Sequence, residues 1–326
     1  MKPFKIVAAK SIEDINKCFD TTPSSSYILA GGIDLMDEIK EGLITPNFLV
    51  DLMNLEELKV IKEEQDGLRV GSLLTLDLLE SNSLISARYP ALVQSIASVG
   101  TPQIRNVATI GGNLCQRPRC WYYRNQFFDC LKKGGKICFA VDGQSKYHAI
   151  FGGHRCYIVH PSDLAIALIS YRAEVDIVGV DGLRRQPLTE MYVGPDKDML
   201  RETSLQPGDI IKTIIIPSSV PGQRSVFLKA TERRTQDFAL VSVALVITVV
   251  DGFIIDASLT LGGVAPTPYM VPQVEDAMKG SAILDLDYAR LGKLAAQGAT
   301  PLKHNGYKIG LVSALVERAI RSLAYA

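Results

Sequence analysis

The sequence predicts an α+β protein built from three units, and three features carry that expectation. At 326 residues the chain exceeds one ordinary domain. Short strand-like and helix-like runs alternate over its first two thirds. Beyond Pro217, Pro221 and Gly222, a long apolar run turns back on itself at one Asp-Gly dipeptide and is followed by helical segments.

The first unit, residues 1–57, opens with a strand over 4–8. Ser11 then stands three residues before Asp14 as a helix cap, and Ile12, Ile15 and Phe19 share one helical face. A strand over 27–29, a glycine turn, a helix over 35–39 and a strand over 48–52 complete a small α/β unit. The second unit, residues 58–217, has a strand over 68–70, a helix after Thr75, and a helix that starts at Pro90 and stops before Gly100. A cysteine-rich insertion over about 115–156 interrupts it. A helix over 163–171, a strand over 175–180 turning at Asp181-Gly182, and a strand over 210–216 follow. The third unit, residues 218–326, has strands over 225–229, 238–250 and 253–261, the last two joined at Asp251-Gly252. Helices over 274–278, 286–296 and 307–323 close it as an α+β domain with a small antiparallel sheet.

Apolar residues make up 47% and charged residues 21%, the profile of a globular protein. Lys+Arg and Asp+Glu balance at 35 each, which argues against nucleic-acid binding, since that needs a basic excess. The balance is uneven along the chain. Between Arg105 and Cys156 nine Lys/Arg face two acids, so that segment is +7 and the remainder −7. The first residues lack the apolar core of a signal peptide, and the longest apolar run, 238–250, is too short to span a bilayer. The expectation is a cytoplasmic protein without membrane insertion.

Paired glycines occur twice. Leu29-Ala30-Gly31-Gly32-Ile33-Asp34-Leu35 runs from strand to helix, and Thr109-Ile110-Gly111-Gly112-Asn113 is a second such turn. Without a Cβ, backbone N–H groups there can approach an anion closely. Either alone is equally a plain tight turn. Neither matches the dinucleotide fingerprint or the P-loop, so a nucleotide bound here uses another fold.

Five of the six cysteines lie between Cys115 and Cys156, a clustering that points to a metal rather than a disulfide framework. Cys120, Cys130, Cys138 and Cys156 are separated by nine, seven and seventeen residues, and none of these gaps is the two-residue spacing of a zinc ribbon. Four thiolates suit zinc or a [4Fe–4S] cluster. The basic surplus and the nearby Trp121, Tyr122, Tyr123, Phe127, Phe128, Phe139, Tyr147, Phe151 and Tyr157 favour the anionic cluster, by offsetting its charge and excluding water. Cys115 and Cys18 are read as small core residues. His148, His154 and His160 are read as hydrogen-bonding or capping groups.

The two glycine turns, with Gln103-Ile104-Arg105-Asn106 ahead of the second, Pro161-Ser162-Asp163-Leu164-Ala165, Phe227-Leu228-Lys229 with Arg233, and Gly262-Gly263-Val264-Ala265-Pro266, resemble the flavin subunit of the xanthine dehydrogenase and carbon monoxide dehydrogenase (molybdenum hydroxylase) family. The resemblance covers nearly the whole chain. It implies a two-part FAD-binding fold of the PCMH type, with FAD between the first two units. Leu29, Ala30, Gly31, Gly32, Ile33, Asp34 and Leu35, with Thr109, Ile110, Gly111, Gly112 and Asn113, would hold the diphosphate. Thr101, Ile104 and Asn106 would lie near the flavin, and Asp163 and Lys229 would make polar contacts to it. Read without the resemblance, Asp163 is a helix N-cap and Lys229 a solvated strand end.

The cysteine insertion looks like that of bacterial aldehyde oxidoreductases and 4-hydroxybenzoyl-CoA reductase, whose flavin subunits bind a [4Fe–4S] cluster. That likeness implies Cys120, Cys130, Cys138 and Cys156 as its ligands. Implied partners are a large molybdenum-cofactor subunit, a small [2Fe–2S] subunit and an external electron acceptor or donor; a periplasmic location would require co-export with a partner. No catalytic residue for substrate chemistry is expected in this chain. The competing reading is a stand-alone flavoenzyme of this fold with structural zinc, and a third is a metal-stabilised scaffold without flavin.

Overall fold

The computed structural model describes residues 1–21, 25–233 and 237–325. Strands β1 (Lys5–Ala8), β2 (Ser26–Leu29) and β3 (Phe48–Asp51) form a parallel sheet in the order β1-β3-β2. Parallel neighbours need crossovers, which the helices Ile12–Thr21 and Leu35–Lys40 supply. Ser11 Oγ accepts from Asp14 N at 3.4 Å, and Ile15 and Phe19 bury against Val50, Leu52 and Leu55. Leu73 and Ile210, from later in the chain, complete this core.

Five antiparallel strands follow: β4 (Ile61–Glu64), β5 (Gly67–Gly71), β6 (Glu174–Gly179), β7 (Gly182–Pro187) and β8 (Ile210–Pro217), in the order β4-β5-β8-β6-β7. Helices Pro90–Ala97 and Asp163–Ser170 join their apolar side chains to this sheet's core. Every residue of Asp163–Ser170 is buried, because a second sheet covers its other face. That sheet contains β9 (Gln223–Ala230), β10 (Val241–Val250), β11 (Phe253–Gly262) and β12 (Tyr269–Met270), ordered β12-β11-β10-β9. Asp251 and Gly252 both have positive φ (51° and 83°), the conformation that closes a two-residue hairpin. Helices Pro272–Met278 and Tyr307–Ala324 pack against this sheet, helix Tyr288–Ala295 packs against those two helices, and the core also takes in Ile150 and Phe151 from the cysteine segment. No helix among the described residues is long and apolar enough to cross a membrane.

Three differences from the sequence expectations have clear local causes. Helix Ser83–Arg88 was not expected. Asn82 accepts from the N–H groups of Leu84 and Ile85 and so starts a helix where the sequence suggests only an exit from the preceding one. The strand expected from 238 begins at Val241, with Asp237 turned back to accept from Arg233 N at 2.7 Å. The second glycine pair lies inside a helix, Ile110–Leu114, capped by Thr109 Oγ1, which accepts from Gly112 N at 3.2 Å.

Candidate functional site

The two glycine segments meet. Gly31 rests on the backbone of Val107 and Ala108, immediately ahead of Thr109. Gly32 has φ +72°, a left-handed conformation that glycine adopts without strain. Gly111 rests on Ser72 with its N–H donated to the Ser72 carbonyl at 2.9 Å, while Gly112 faces solvent. Leu29 ends β2, Ala30 packs at the first core, Ile33 is exposed and Leu35 is the first residue of its helix. Thr101 caps the helix Pro102–Arg105, Ile104 packs beneath Gly100, and Asn106 is exposed at that helix's end. Asn113 is buried, accepting from Ser162 Oγ at 2.6 Å.

Asp34 is engaged by the cysteine segment. Its carboxylate meets Arg119 Nη1 at 2.5 Å and Arg124 Nη2 at 2.6 Å, and it accepts from Arg117 N at 2.6 Å. Glu202 similarly meets Arg117 Nε at 2.5 Å and Lys132 Nζ at 2.7 Å. The basic surplus therefore clamps the segment onto acids of neighbouring elements. Of the cations counted there, only Lys132 lines the thiol pocket described below.

Ser162, not Asp163, is the N-cap, accepting from Ala165 N at 3.1 Å. Asp163 is freed from capping and pairs with Lys229 at 2.7 Å, while Ser242 Oγ donates to its other oxygen at 3.1 Å. Lys229 also donates to the Ser98 carbonyl at 3.1 Å, and its side chain is only 9% exposed, not the solvated strand end its position suggests. The pair is joined across helix and sheet because β9 and β10 place Lys229 opposite Ser242. Asp163 lines an open cleft of about 420 Å³, with Arg119, Trp121, His160, Phe238 and Gly262–Gly263. His160 is buried in its wall with neither ring nitrogen partnered within the protein, and burial pushes its imidazole down to about 3.

Cys120, Cys130, Cys138 and Cys156 all line one narrow pocket, with Tyr122, Tyr123, Phe139 and Lys132. Cys115 is absent from its lining. It packs against the core below the second glycine segment, and burial raises its thiol to about 12. Cys18 packs on the first core. A hydrogen bond between Cys138 and Cys156 holds Cys138 low and Cys156 high. Among the described residues no three His, Cys, Asp or Glu side chains converge on one metal-ion position. The aromatic shield is smaller than expected: Phe127 is 84% exposed, and Phe151 stacks on Tyr269 in the third core. Phe128, Tyr122 and Phe139 form the ring cluster that remains.

His148 lies 3.2 Å from Cys120 Sγ through Nε2. Burial and the nearby Lys308 push its imidazole down to about 4. His148 and Cys120 line both the thiol pocket and the cleft. His154 is exposed at positive φ (34°).

Residues 2–219 match the family model for the FAD binding domain in molybdopterin dehydrogenase, and residues 226–323 match that for the CO dehydrogenase flavoprotein C-terminal domain. The chain belongs to the FAD-binding subunits of the xanthine dehydrogenase and CO dehydrogenase (molybdenum hydroxylase) family. It is 32% identical over 292 residues to the aldehyde oxidoreductase FAD-binding subunit of Escherichia coli (strain K12), covering 88% of this chain and 87% of that one. To the carbon monoxide dehydrogenase medium chain of Afipia carboxidovorans it is 24% identical, covering 95% and 93%. The fold matches the solved Cu,Mo-CO dehydrogenase at a TM-score of 0.78 and 23% identity, covering 100% of this chain and 99% of that one. Quinoline 2-oxidoreductase from Pseudomonas putida 86 matches at 0.77 and 22%, although at this identity the likeness speaks for the fold alone. This chain is thus the flavin subunit of an oxidoreductase, and FAD is its cofactor.

Proposed function

We propose that this flavin subunit transfers electrons between FAD and a [4Fe–4S] cluster of its own, within a complex that oxidises an aldehyde on a separate large molybdenum-cofactor subunit. A small [2Fe–2S] subunit links the two, and an external acceptor or donor meets the flavin. The observation that carries this reading is the shared wall. Cys120 and His148 line both the four-thiol pocket and the cleft beside Asp163, so groups in the two spaces would lie one residue apart.

When bound, FAD exchanges paired electrons with an external partner and single electrons with iron–sulfur centres. The glycine segments suit its diphosphate, since they meet without intervening side chains across residues 1–57 and 58–217. Leu29–Leu35 and Thr109–Asn113 would hold the diphosphate there, and Thr101, Ile104 and Asn106 would lie near the flavin. Asp163 would accept from a hydroxyl of the bound cofactor, and Lys229 would supply positive charge to its reduced form. The cleft is ample for the flavin end, and the unpartnered nitrogens of His160 offer it further polar contacts.

Four thiols lining one pocket with the Lys132 ammonium beside them suit an anionic four-thiolate cluster, whose charge that cation offsets, and zinc is the competing occupant. The aldehyde assignment rests on the similarity to an aldehyde oxidoreductase subunit. The test is flavin, iron, zinc and molybdenum analysis of the complex purified with its partner subunits. Iron beyond the small subunit's share supports the cluster; iron limited to that share, or zinc in its place, overturns it.

A further inference from the structure

Resting on the cluster reading above, we infer that His148 is a positioning residue that donates an N–H to the Cys120 sulfur and thereby sets the cluster's reduction potential. A ligating cysteine is a thiolate, which accepts hydrogen bonds and has no proton to give. The 3.2 Å contact from Nε2 is therefore a hydrogen bond when that nitrogen carries the proton. Hydrogen bonds to cluster sulfurs and exclusion of solvent are two of the means by which a protein sets an iron–sulfur potential. His148 is placed for both, since its ring also stands between the thiol pocket and the open cleft.

The backbone that carries the ring is held largely from the third unit. Asn305 Nδ2 donates at 3.0 Å to the carbonyls of both His148 and Ala149, and His148 N donates to the Ser145 carbonyl at 3.1 Å. Lys308, fully buried at the start of the last helix, donates to the carbonyls of Tyr147 at 3.1 Å and Gly263 at 2.7 Å. Trp121 and Tyr122 pack on the imidazole itself, with ring centroids 6.1 Å away in each case. Outer partners that orient a metal ligand in this way commonly tune the centre they surround. The third unit thus reaches the cluster through this histidine, although it contributes none of the four cysteines.

The experiment is a potentiometric titration of the assembled complex, following the cluster by its paramagnetic signal, with iron and flavin measured on each sample. In His148→Leu the donor is gone while bulk remains, and the reduced-to-oxidised ratio at the wild-type midpoint should fall about tenfold, which is 59 mV for a one-electron couple. His148→Gln restores an N–H donor and should recover most of that shift. A wild-type midpoint in His148→Leu with iron retained overturns the inference. If His148→Leu loses its iron, His148→Gln decides. Retained iron and a near-wild-type midpoint support the donor role, and a shifted midpoint or lost iron overturns it. Wild-type complex without the additional iron overturns the cluster reading itself, an outcome distinguishable from an unshifted variant.

Discussion

Gly31 and Val107 are in backbone contact: a Cβ at Gly31 would stand 2.1 Å from the Val107 carbonyl oxygen. The obstacle is main chain, which cannot rotate aside as a side chain does. Gly31→Ala must therefore push apart the two glycine segments at the junction assigned to the FAD diphosphate. The expected cost is about 1–3 kcal/mol of strain, with at least a tenfold loss of FAD retained through gel filtration. Measuring flavin absorbance per polypeptide checks this. Full flavin occupancy in Gly31→Ala would show that the diphosphate lies elsewhere.

Asp163 and Lys229 form a buried ion pair whose removal has two separable effects. Asp163→Asn removes the negative charge and leaves the lysine with neutral acceptors alone, the Ser98 carbonyl and the new amide oxygen. Breaking one side of such a pair costs about 3–5 kcal/mol. The double variant Asp163→Asn with Lys229→Met should recover part of that loss, because no buried charge is left unpaired. Denaturant midpoints of the four proteins, taken with flavin removed, test this. A double variant destabilised by the sum of the losses in Asp163→Asn and Lys229→Met alone would mean that the pair carries no coupling.

Much of the fold was legible in the sequence, and the misses have local causes. The helix from Pro90 and the hairpin at Asp251-Gly252 are written in residues that admit few backbone alternatives. Helix Ser83–Arg88 was missed because Asn82 suits a turn as well as a cap. The four cysteines could be grouped by their clustering together with the family resemblance, but the role of the charged residues could not. Arg119 and Arg124 reach back some ninety positions to Asp34, and no local pattern announces a partner at that distance. Asp163 and Lys229 were singled out by resemblance, while their pairing depends on how a helix and a sheet pack. His148 was read as a hydrogen-bonding residue; its place between two cavities appears only once the last helix is packed behind it.

Cys115 and Cys130 should respond oppositely to replacement. Cys130 lines the thiol pocket and Cys115 packs against the apolar core outside it. Cys130→Ser should reduce iron to the share carried by the small subunit while FAD is largely retained. Cys115→Ala should keep wild-type iron and lose about 1 kcal/mol of stability from a small packing defect. Metal analysis beside a thermal melt separates the two. Iron loss in Cys115→Ala would make it a ligand and require one of the assigned four to be released.

Lys308 gives the chain a pH dependence of definite sign. Its ammonium is fully buried with two carbonyl acceptors, and burial lowers it from 10.5 to about 7. Below about pH 7 folded and unfolded chains both hold this proton, so the folded chain bears the whole cost of burying the charge. Between about pH 7 and 10.5 the unfolded chain binds more protons, and this group's contribution to stability rises with pH. A shift of this size corresponds to a few kcal/mol, as an order of magnitude. Lys308→Met removes that dependence and adds a constant cost of about 1–3 kcal/mol per carbonyl left unpaired. The melting temperature of Lys308→Met relative to wild type should therefore be highest near pH 6 and fall steadily toward pH 9. A difference independent of pH across that range would show that Lys308 keeps its proton in the folded chain.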